Sequence, residues 1–368
     1  MSKSNDRYII DNFHAESLEN NPLNSPADRD INIYLPPDYY EEDDKRYPVI
    51  YLLHGYSGNN WSWTTTSIDS KDKAFDFQVA PRKILEKLDI DRLLTFEVLD
   101  DLIQKGELKP FIYVQPDGSL HVPNIFKRKD LRGNVMTKGS FYVNSPYIGN
   151  YMDYIINDVI NYIDSNYRTI PDKNQRALIG CSMGGYGAFY LTLHHPEKFN
   201  SVCALSPANA KNMEGFNWQL RIPIYTALFG EKMSAQVGDA AWNDIADTYD
   251  LIFSDSERLI PTIKRDEHGN IIDYNKEALK NWAENDLINL IDKFPDSLRK
   301  VHLQLNCEST DEFRLTEVAI SLHEKLAELG IEHDYEIYSD PKAALTPHIL
   351  GIGYHILPGI KFCLQHIQ

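Results

Sequence analysis

A serine between two glycines is the residue of this sequence whose setting points most directly to chemistry. Residues 180–184, Gly-Cys-Ser-Met-Gly, match the pattern G-x-S-x-G, in which the serine lies on a sharp turn between a strand and a helix. The glycines leave space for that turn, and the start of the helix offers backbone N–H groups to developing negative charge. We therefore predict that Ser182 is a nucleophile.

The residues around Ser182 favour the same geometry. Residues 175–179 predict a short buried strand before the serine, and residues 188–193 predict a helix that ends before Pro196. Apolar residues recur at helical spacing over 153–167, upstream of the strand. This order of helix, strand, turn and helix favours a nucleophile over the alternative, an incidental serine in a glycine-rich turn.

A serine nucleophile requires a general base and a carboxylate that orients the base. In one known chain order the carboxylate follows the serine, after a late strand, and the histidine comes last. A strand predicted over 301–305 leads into an acidic loop, in which Asp311 is the candidate carboxylate and Glu308 and Glu312 are the alternatives.

The candidate base follows the next strand, predicted over 333–338. We place His348 in the loop before the last helix and His355 on that helix. Helical histidines are more often packed or exposed than catalytic, so we predict His348 as the base and keep His355 as the alternative.

Two backbone N–H groups are candidates for an oxyanion hole, which would stabilise the charge that develops on the substrate oxygen. One belongs to Met183, directly after the serine, and the other to Tyr56, in the loop after an early strand over 48–53. His54 lies beside the glycine of that loop, and we expect its ring to hold the loop by hydrogen bonds.

The elements that position these residues predict an α/β fold with a doubly wound, mostly parallel sheet. Apolar runs at 48–53, 111–114 and 200–205 are typical of strands covered on both faces. Residues 30–35 alternate and predict an antiparallel edge strand, and residues 314–329 predict a helix. We expect a single domain over 1–368. Residues 64–108 and 208–298, the latter with Trp218, Trp242 and Trp282, fit the alternation poorly and are predicted as insertions over the mouth of the site.

The composition limits the classes of partner and cofactor that the protein is expected to bind. A net charge of −17 and a pI near 5.1 argue against nucleic acid or an anionic membrane as the main partner. The four cysteines have no C-x-x-C spacing and are expected to be reduced core thiols. The histidines lack the spacings of metal motifs, so we expect no metal or organic cofactor. The polar N-terminus and the absence of a long apolar run predict a cytoplasmic protein, and the oligomeric state stays open, a homodimer included.

Four segments in order carry a resemblance to a known family: YLLHG at 51–55, GSFYVNS at 139–145, GCSMGG at 180–185 and TDEF at 310–313. The chain resembles the esterase D-like α/β hydrolases, which include feruloyl esterases, S-formylglutathione hydrolases, siderophore esterases and mycolyltransferases. The resemblance runs from about residue 30 to the C-terminus. It implies the α/β-hydrolase fold, a triad of Ser182, Asp311 and His348, and an oxyanion hole of Tyr56 and Met183. The sequence departs from the family pattern directly before His348, where Thr-Pro stands in place of the common Gly-Gly.

These residues predict a serine carboxylesterase that forms an acyl-enzyme on Ser182 and acts on small aryl, feruloyl or short-chain acyl esters. The alternatives are an acyltransferase or thioesterase with the same triad, and a non-catalytic binding scaffold. Four aromatic side chains near the predicted site could contact the substrate or pack beneath the insertions: Trp61, Trp63, Tyr142 and Tyr147.

Overall fold

Apolar runs of the sequence form the strands at the centre of the structure, a computed structural model that describes residues 7–64, 92–120, 138–209, 226, 230–232, 245–254, 259–266 and 271–367. The strands are β1 (Tyr8–His14), β2 (Asp28–Tyr34), β3 (Val49–Leu53), β4 (Ile112–Pro116), β5 (Ser119–Leu120), β6 (Lys138–Gly139), β7 (Asn144–Ser145), β8 (Gly149–Asn150), β9 (Arg176–Cys181), β10 (Ser201–Leu205), β11 (Ile263–Arg265), β12 (Ile271–Tyr274), β13 (His302–Glu308) and β14 (Asp334–Tyr338). Eight of them form one sheet in the order β1-β2-β4-β3-β9-β10-β13-β14.

The helices are α1 (Phe96–Gln104), α2 (consecutive segments Tyr151–Asp153, Tyr154–Val159 and Ile160–Asn166), α3 (Met183–His194), α4 (Lys276–Glu284), α5 (Leu287–Lys293), α6 (Pro295–Leu298), α7 (Leu315–Glu328) and α8 (Pro347–His366). The middle segment of α2 is a π-helix. Residues 245–253 are also helical.

The sheet is mostly parallel, which confirms the predicted fold class. Strands β4, β3, β9, β10, β13 and β14 run parallel to their neighbours within that series. In the register, Leu53 pairs with Gly180, and Leu205 pairs with both Cys181 and Asn306. The carboxyl ends of β3, β9, β10 and β13 therefore meet at one edge of the sheet.

Residues 28–34 form an antiparallel strand, as predicted for 30–35, but the prediction that this strand lies at the edge was wrong. β2 lies between β1 and β4 and is antiparallel to both, so β1 forms the edge. In β1, Phe13 is buried whereas Ile10 is 55% exposed, because only one face of this strand is fully packed. Its polar residues Asp11 and Asn12 weaken the apolar pattern from which a strand is predicted.

Both faces of the sheet are covered. In β3, Val49, Tyr51 and Leu53 face one apolar core, which α2, α3 and α7 complete. The alternate residues Ile50 and Leu52 face a second core with α1 and α8. This two-sided burial explains why the central strands are continuous apolar runs.

The four cysteines are buried and unpaired, as predicted. Of the insertion tryptophans, Trp282 is buried on α4, and Trp218 and Trp242 lie outside the described residues. Within the described part of the chain, no helix combines the length and apolarity needed to cross a membrane.

Candidate active site

Ser182 occupies a strained turn between β9 and α3. Its φ of 58° and ψ of −114° lie where L-residues rarely occur, a conformation that costs about 1–3 kcal/mol. Backbone hydrogen bonds hold it there: its N–H donates to the Leu205 carbonyl at 2.8 Å, and its carbonyl accepts from the N–H groups of Tyr186 at 3.1 Å and Ala208 at 2.9 Å. The hydroxyl is thus fixed at the carboxyl edge of the sheet, directly before the first residue of α3.

The turn is possible because the backbones around it are in close contact. A Cβ atom at Gly180 would lie 1.9 Å from the Gly184 carbonyl oxygen, and one at Gly184 would lie 2.2 Å from the Leu53 carbonyl oxygen. A Cβ atom at Gly55 would lie 3.3 Å from the Cβ of Ser182. The loop after β3 therefore lies beside the serine.

His348 faces Ser182 from the first turn of α8. Its Nε2 lies 2.9 Å from the Ser182 Oγ, and its Nδ1 lies 2.6 Å from the Asp311 Oδ2. The prediction that His348 lies in a loop was wrong, because α8 begins at Pro347. Proline is favoured at the first helical position, where its fixed φ suits the helix and its missing N–H costs no hydrogen bond.

Of the three acidic candidates, Asp311 is the one whose carboxylate reaches the imidazole of His348. It is buried, and its second oxygen, Oδ1, accepts from the Phe313 N–H at 2.9 Å. Glu308, the last residue of β13, instead accepts from the Thr310 hydroxyl at 2.7 Å. Glu312 accepts from the backbone N–H of His348 at 2.7 Å.

His355 is directed away from the serine. Its Nδ1 lies 3.0 Å from the Gly351 carbonyl oxygen one turn earlier, and its ring stacks on Tyr338 with centroids 3.4 Å apart. Burial lowers the pKa of His355. The structure therefore brings His348, and not His355, to Ser182.

The electrostatics around His348 favour its protonated form. Burial disfavours the imidazolium, but the charge and hydrogen bond of the Asp311 carboxylate, with a smaller contribution from Glu312, raise the pKa of His348 above its usual range. An imidazole that accepts a proton readily and is hydrogen-bonded to a serine hydroxyl is the arrangement that general-base activation requires.

The two residues predicted for the oxyanion hole are neighbours in space. A Cβ atom at Gly139 would lie 2.0 Å from the Met183 Sδ and 2.9 Å from the Tyr56 Cδ2, so both side chains pack on this glycine. Tyr56 follows Gly55 and Met183 follows Ser182, so both backbone amides belong to segments that contact the serine. The Tyr56 hydroxyl also lies 2.7 Å from the Thr248 Oγ1 of the second insertion.

His54 holds the loop after β3, as predicted. Its Nδ1 lies 2.8 Å from the Gly55 carbonyl oxygen, and its Nε2 accepts from the Gly118 N–H at 2.9 Å. These partners assign the ring proton to Nδ1. Beneath this loop Arg29, which is 1% exposed, lies 3.8 Å from the Asp117 carboxylate. This buried pair was not predicted from the sequence.

The four aromatic candidates for substrate contact fall into two groups. Tyr142 is fully buried and its hydroxyl donates to the His54 carbonyl at 3.1 Å, and Trp63 is buried in the second core. Both positions favour the packing role. Trp61 and Tyr147 are half-buried and keep surface that a ligand could contact.

No group of three or more His, Cys, Asp and Glu side chains with the geometry of a metal site occurs among the residues for which the structure gives positions.

Comparison with known proteins places these residues in context. A family model described as "Putative esterase" matches residues 24–340. The chain is 30% identical over 171 residues to an endo-1,4-beta-xylanase/feruloyl esterase of Xylanibacter ruminicola, over 46% of this chain and 18% of that protein. It is 26% identical over 206 residues to an S-formylglutathione hydrolase of Saccharomyces cerevisiae, over 52% of this chain and 58% of that protein. The chain therefore spans less than two thirds of the length of these relatives.

Two solved structures resemble the whole chain. A ferulic acid esterase superimposes with a TM-score of 0.58 at 18% identity, over 98% of both chains. An S-formylglutathione hydrolase from Staphylococcus aureus gives a TM-score of 0.53 at 16% identity, over 97% of this chain and 98% of the other. At these identities the likeness concerns the fold, and it confirms the predicted α/β-hydrolase architecture.

Proposed function

Because the chain belongs to the esterase family whose model matches residues 24–340, we propose that it is a serine ester hydrolase that forms an acyl-enzyme on Ser182. Family membership also confirms the resemblance drawn from the four sequence segments. The observation that carries the proposal is the hydrogen-bonded series from Ser182 through His348 to Asp311, with lengths of 2.9 and 2.6 Å.

In the acylation step, His348 Nε2 takes the hydroxyl proton as the Ser182 Oγ attacks the ester carbonyl carbon. Asp311 keeps the other ring proton on Nδ1 and stabilises the imidazolium that forms. The backbone N–H groups of Tyr56 and Met183 bind the oxyanion of the tetrahedral intermediate, each contributing about 3 kcal/mol of transition-state stabilisation. The imidazolium then gives its proton to the leaving alcohol, and the acyl group remains on the serine.

Deacylation repeats these steps with water. His348 removes a proton from a water molecule as its oxygen attacks the acyl carbon, and then returns a proton to the Ser182 Oγ. Carboxylic ester and water thus give acid and alcohol, with the enzyme restored.

The relatives named above suggest two substrate classes, feruloyl esters and S-formylglutathione. We propose that the chain hydrolyses a carboxylic ester whose acyl or alcohol part contacts Trp61 and Tyr147, since these aromatic residues retain accessible surface. Feruloyl esters, short-chain p-nitrophenyl esters and S-formylglutathione, assayed side by side, would identify the preferred class.

We also propose that residues 64–108 and 208–298 are insertions of one domain. Described parts of the second insertion support this: Tyr249 contacts Phe141 with ring centroids 4.7 Å apart, and Thr248 contacts Tyr56. Because the second insertion contacts an oxyanion-hole residue, it would shape the entrance to the site.

The proposed function is tested by a substitution of the nucleophile, Ser182. S182A is expected to lower the rate of p-nitrophenyl acetate hydrolysis by several orders of magnitude, to the residual rate that the oxyanion hole and substrate binding supply, and to lose labelling by a fluorophosphonate probe. The matched control is S309A, an exposed serine in the acidic loop, which is expected to retain both. Hydrolysis at the wild-type rate by S182A would refute the proposal.

A further inference from the structure

Glu312 is a half-buried residue whose carboxyl lies beside the triad, and the proposed mechanism does not use it. It belongs to three consecutive residues that each contact His348 in a different way. Asp311 accepts from the ring Nδ1, Glu312 accepts from the backbone N–H, and the Phe313 ring packs edge-on against the imidazole at 4.9 Å. The loop thus contacts the base at its ring and at its backbone.

The contacts of Glu312 are directed at the first turn of α8. Its Oε2 accepts from the His348 N–H at 2.7 Å, and its Oε1 accepts from the Thr346 hydroxyl at 3.3 Å. Thr346 is the residue before the helix, but its side chain does not bond to the helix's own N–H groups. Glu312 therefore acts as the cap from a separate loop, and the positive end of the helix dipole favours a carboxylate there.

The charge of Glu312 is linked to that of the base. The titratable groups that interact with it, within the described structure, are Asp311 on its own loop and His348 on α8. Burial, with the Asp311 carboxylate, raises the pKa of Glu312 above its usual range, and the His348 imidazolium opposes this rise. Conversely, an ionised Glu312 raises the pKa of His348. The protonation states of Glu312 and His348 are therefore coupled.

We propose that Glu312 is a positioning residue of the triad, which fixes the backbone of His348 through the His348 N–H and, as a carboxylate, supports the imidazolium formed during acylation. This inference rests on the proposed esterase function, because it concerns the base of that reaction. Two separable effects follow: the hydrogen bond governs the position of the imidazole, and the charge governs its proton affinity.

The variants E312Q and E312L separate these effects. In E312Q the amide oxygen can still accept from the His348 N–H, but the charge is lost. We expect kcat at the pH plateau within about threefold of wild type, because the positioning bond remains. The acidic limb of kcat/KM should move to lower pH by roughly half a unit to one unit, because the negative charge that stabilises the imidazolium is removed.

In E312L the side chain has similar length and no acceptor, so the His348 N–H loses its partner. We expect kcat to fall by about 10- to 100-fold while KM changes much less, since misplacing a reacting group by a fraction of an ångström affects mainly the chemical step. The greater activity of E312Q than of E312L is the rescue that a positioning role requires. If E312L does not fold, the pH profile of E312Q decides the question.

The matched control is E317Q. It replaces an exposed glutamate in the first turn of α7 that forms an ion pair with Arg314. Its acidic limb should coincide with that of wild type, because solvent screens this charge. An E312Q profile that coincides with that of wild type overturns the inference while leaving the esterase function intact. A wild-type protein that neither hydrolyses esters nor reacts with a fluorophosphonate overturns the esterase function instead.

Discussion

Replacing Asp311 with asparagine should inactivate the enzyme through the tautomer of His348. Asp311 Oδ2 accepts from His348 Nδ1 at 2.6 Å, and Oδ1 accepts from the Phe313 N–H at 2.9 Å. In D311N the amide oxygen stays on the Phe313 N–H, because the amide nitrogen cannot accept. The NH₂ group then faces the imidazole and can only donate to Nδ1. The ring proton moves to Nε2, where His348 can no longer take the proton of Ser182.

The expected loss combines the wrong tautomer with the missing charge beside the imidazolium. A change of this kind lowers kcat by about 10³- to 10⁴-fold, which corresponds to about 4–5.5 kcal/mol of transition-state stabilisation. The assay is p-nitrophenyl acetate hydrolysis near neutral pH, with circular dichroism to show that D311N is folded. The comparison variant is D311A, in which water can enter beside Nδ1 and either tautomer is available.

D311A should therefore be several-fold more active than D311N, although alanine is the less conservative replacement. A D311N variant that keeps more than about a tenth of the wild-type kcat, or that is more active than D311A, would contradict this role of Asp311. Either result would mean that Asp311 does not set the tautomer of His348.

Three further substitutions test the contacts that surround the triad. G184A places a Cβ 2.2 Å from the Leu53 carbonyl oxygen, so it should destabilise the fold by about 1–3 kcal/mol or more, and an unchanged melting temperature would contradict the close packing of the turn. T248V removes the hydroxyl 2.7 Å from the Tyr56 hydroxyl, and kcat/KM should fall by about fivefold, the value of one hydrogen bond. Y56F should cause a similar loss, and the double variant should lose little more than either single variant; fully additive losses would show that these hydroxyls do not act together.

The features that could be predicted from the sequence are those in which the local residue pattern reflects the position of a segment in the fold. The central strands are buried on both faces, so they could be predicted from their apolar runs. Glycines stand at 180 and 184 because the backbone contacts there leave no space for a side chain. The known chain order of serine, acid and histidine indicated that the other two candidates lie after the late strands. These features predicted the sheet, the turn at Ser182 and the three side chains that meet there.

The remaining features depend on contacts between distant segments. β1 was missed because an edge strand with one packed face carries polar residues, which left β2 as the apparent edge. The start of α8 was missed because a proline is compatible with either a loop or a first helical turn. The contact of Glu312 with His348 joins residues 36 positions apart, so no local periodicity predicts it. The one available signal was its place directly after the predicted triad acid.

Acylation of Ser182 is tested most directly by the mass of the covalent adduct that the protein forms. The protein is treated with a fluorophosphonate, or quenched during turnover of a slowly hydrolysed ester, and then digested and analysed by mass spectrometry. We predict one adduct, on the peptide that contains Ser182, absent from S182A and reduced in variants of His348. Ester turnover without an adduct, or an adduct on another residue, would contradict the proposed mechanism.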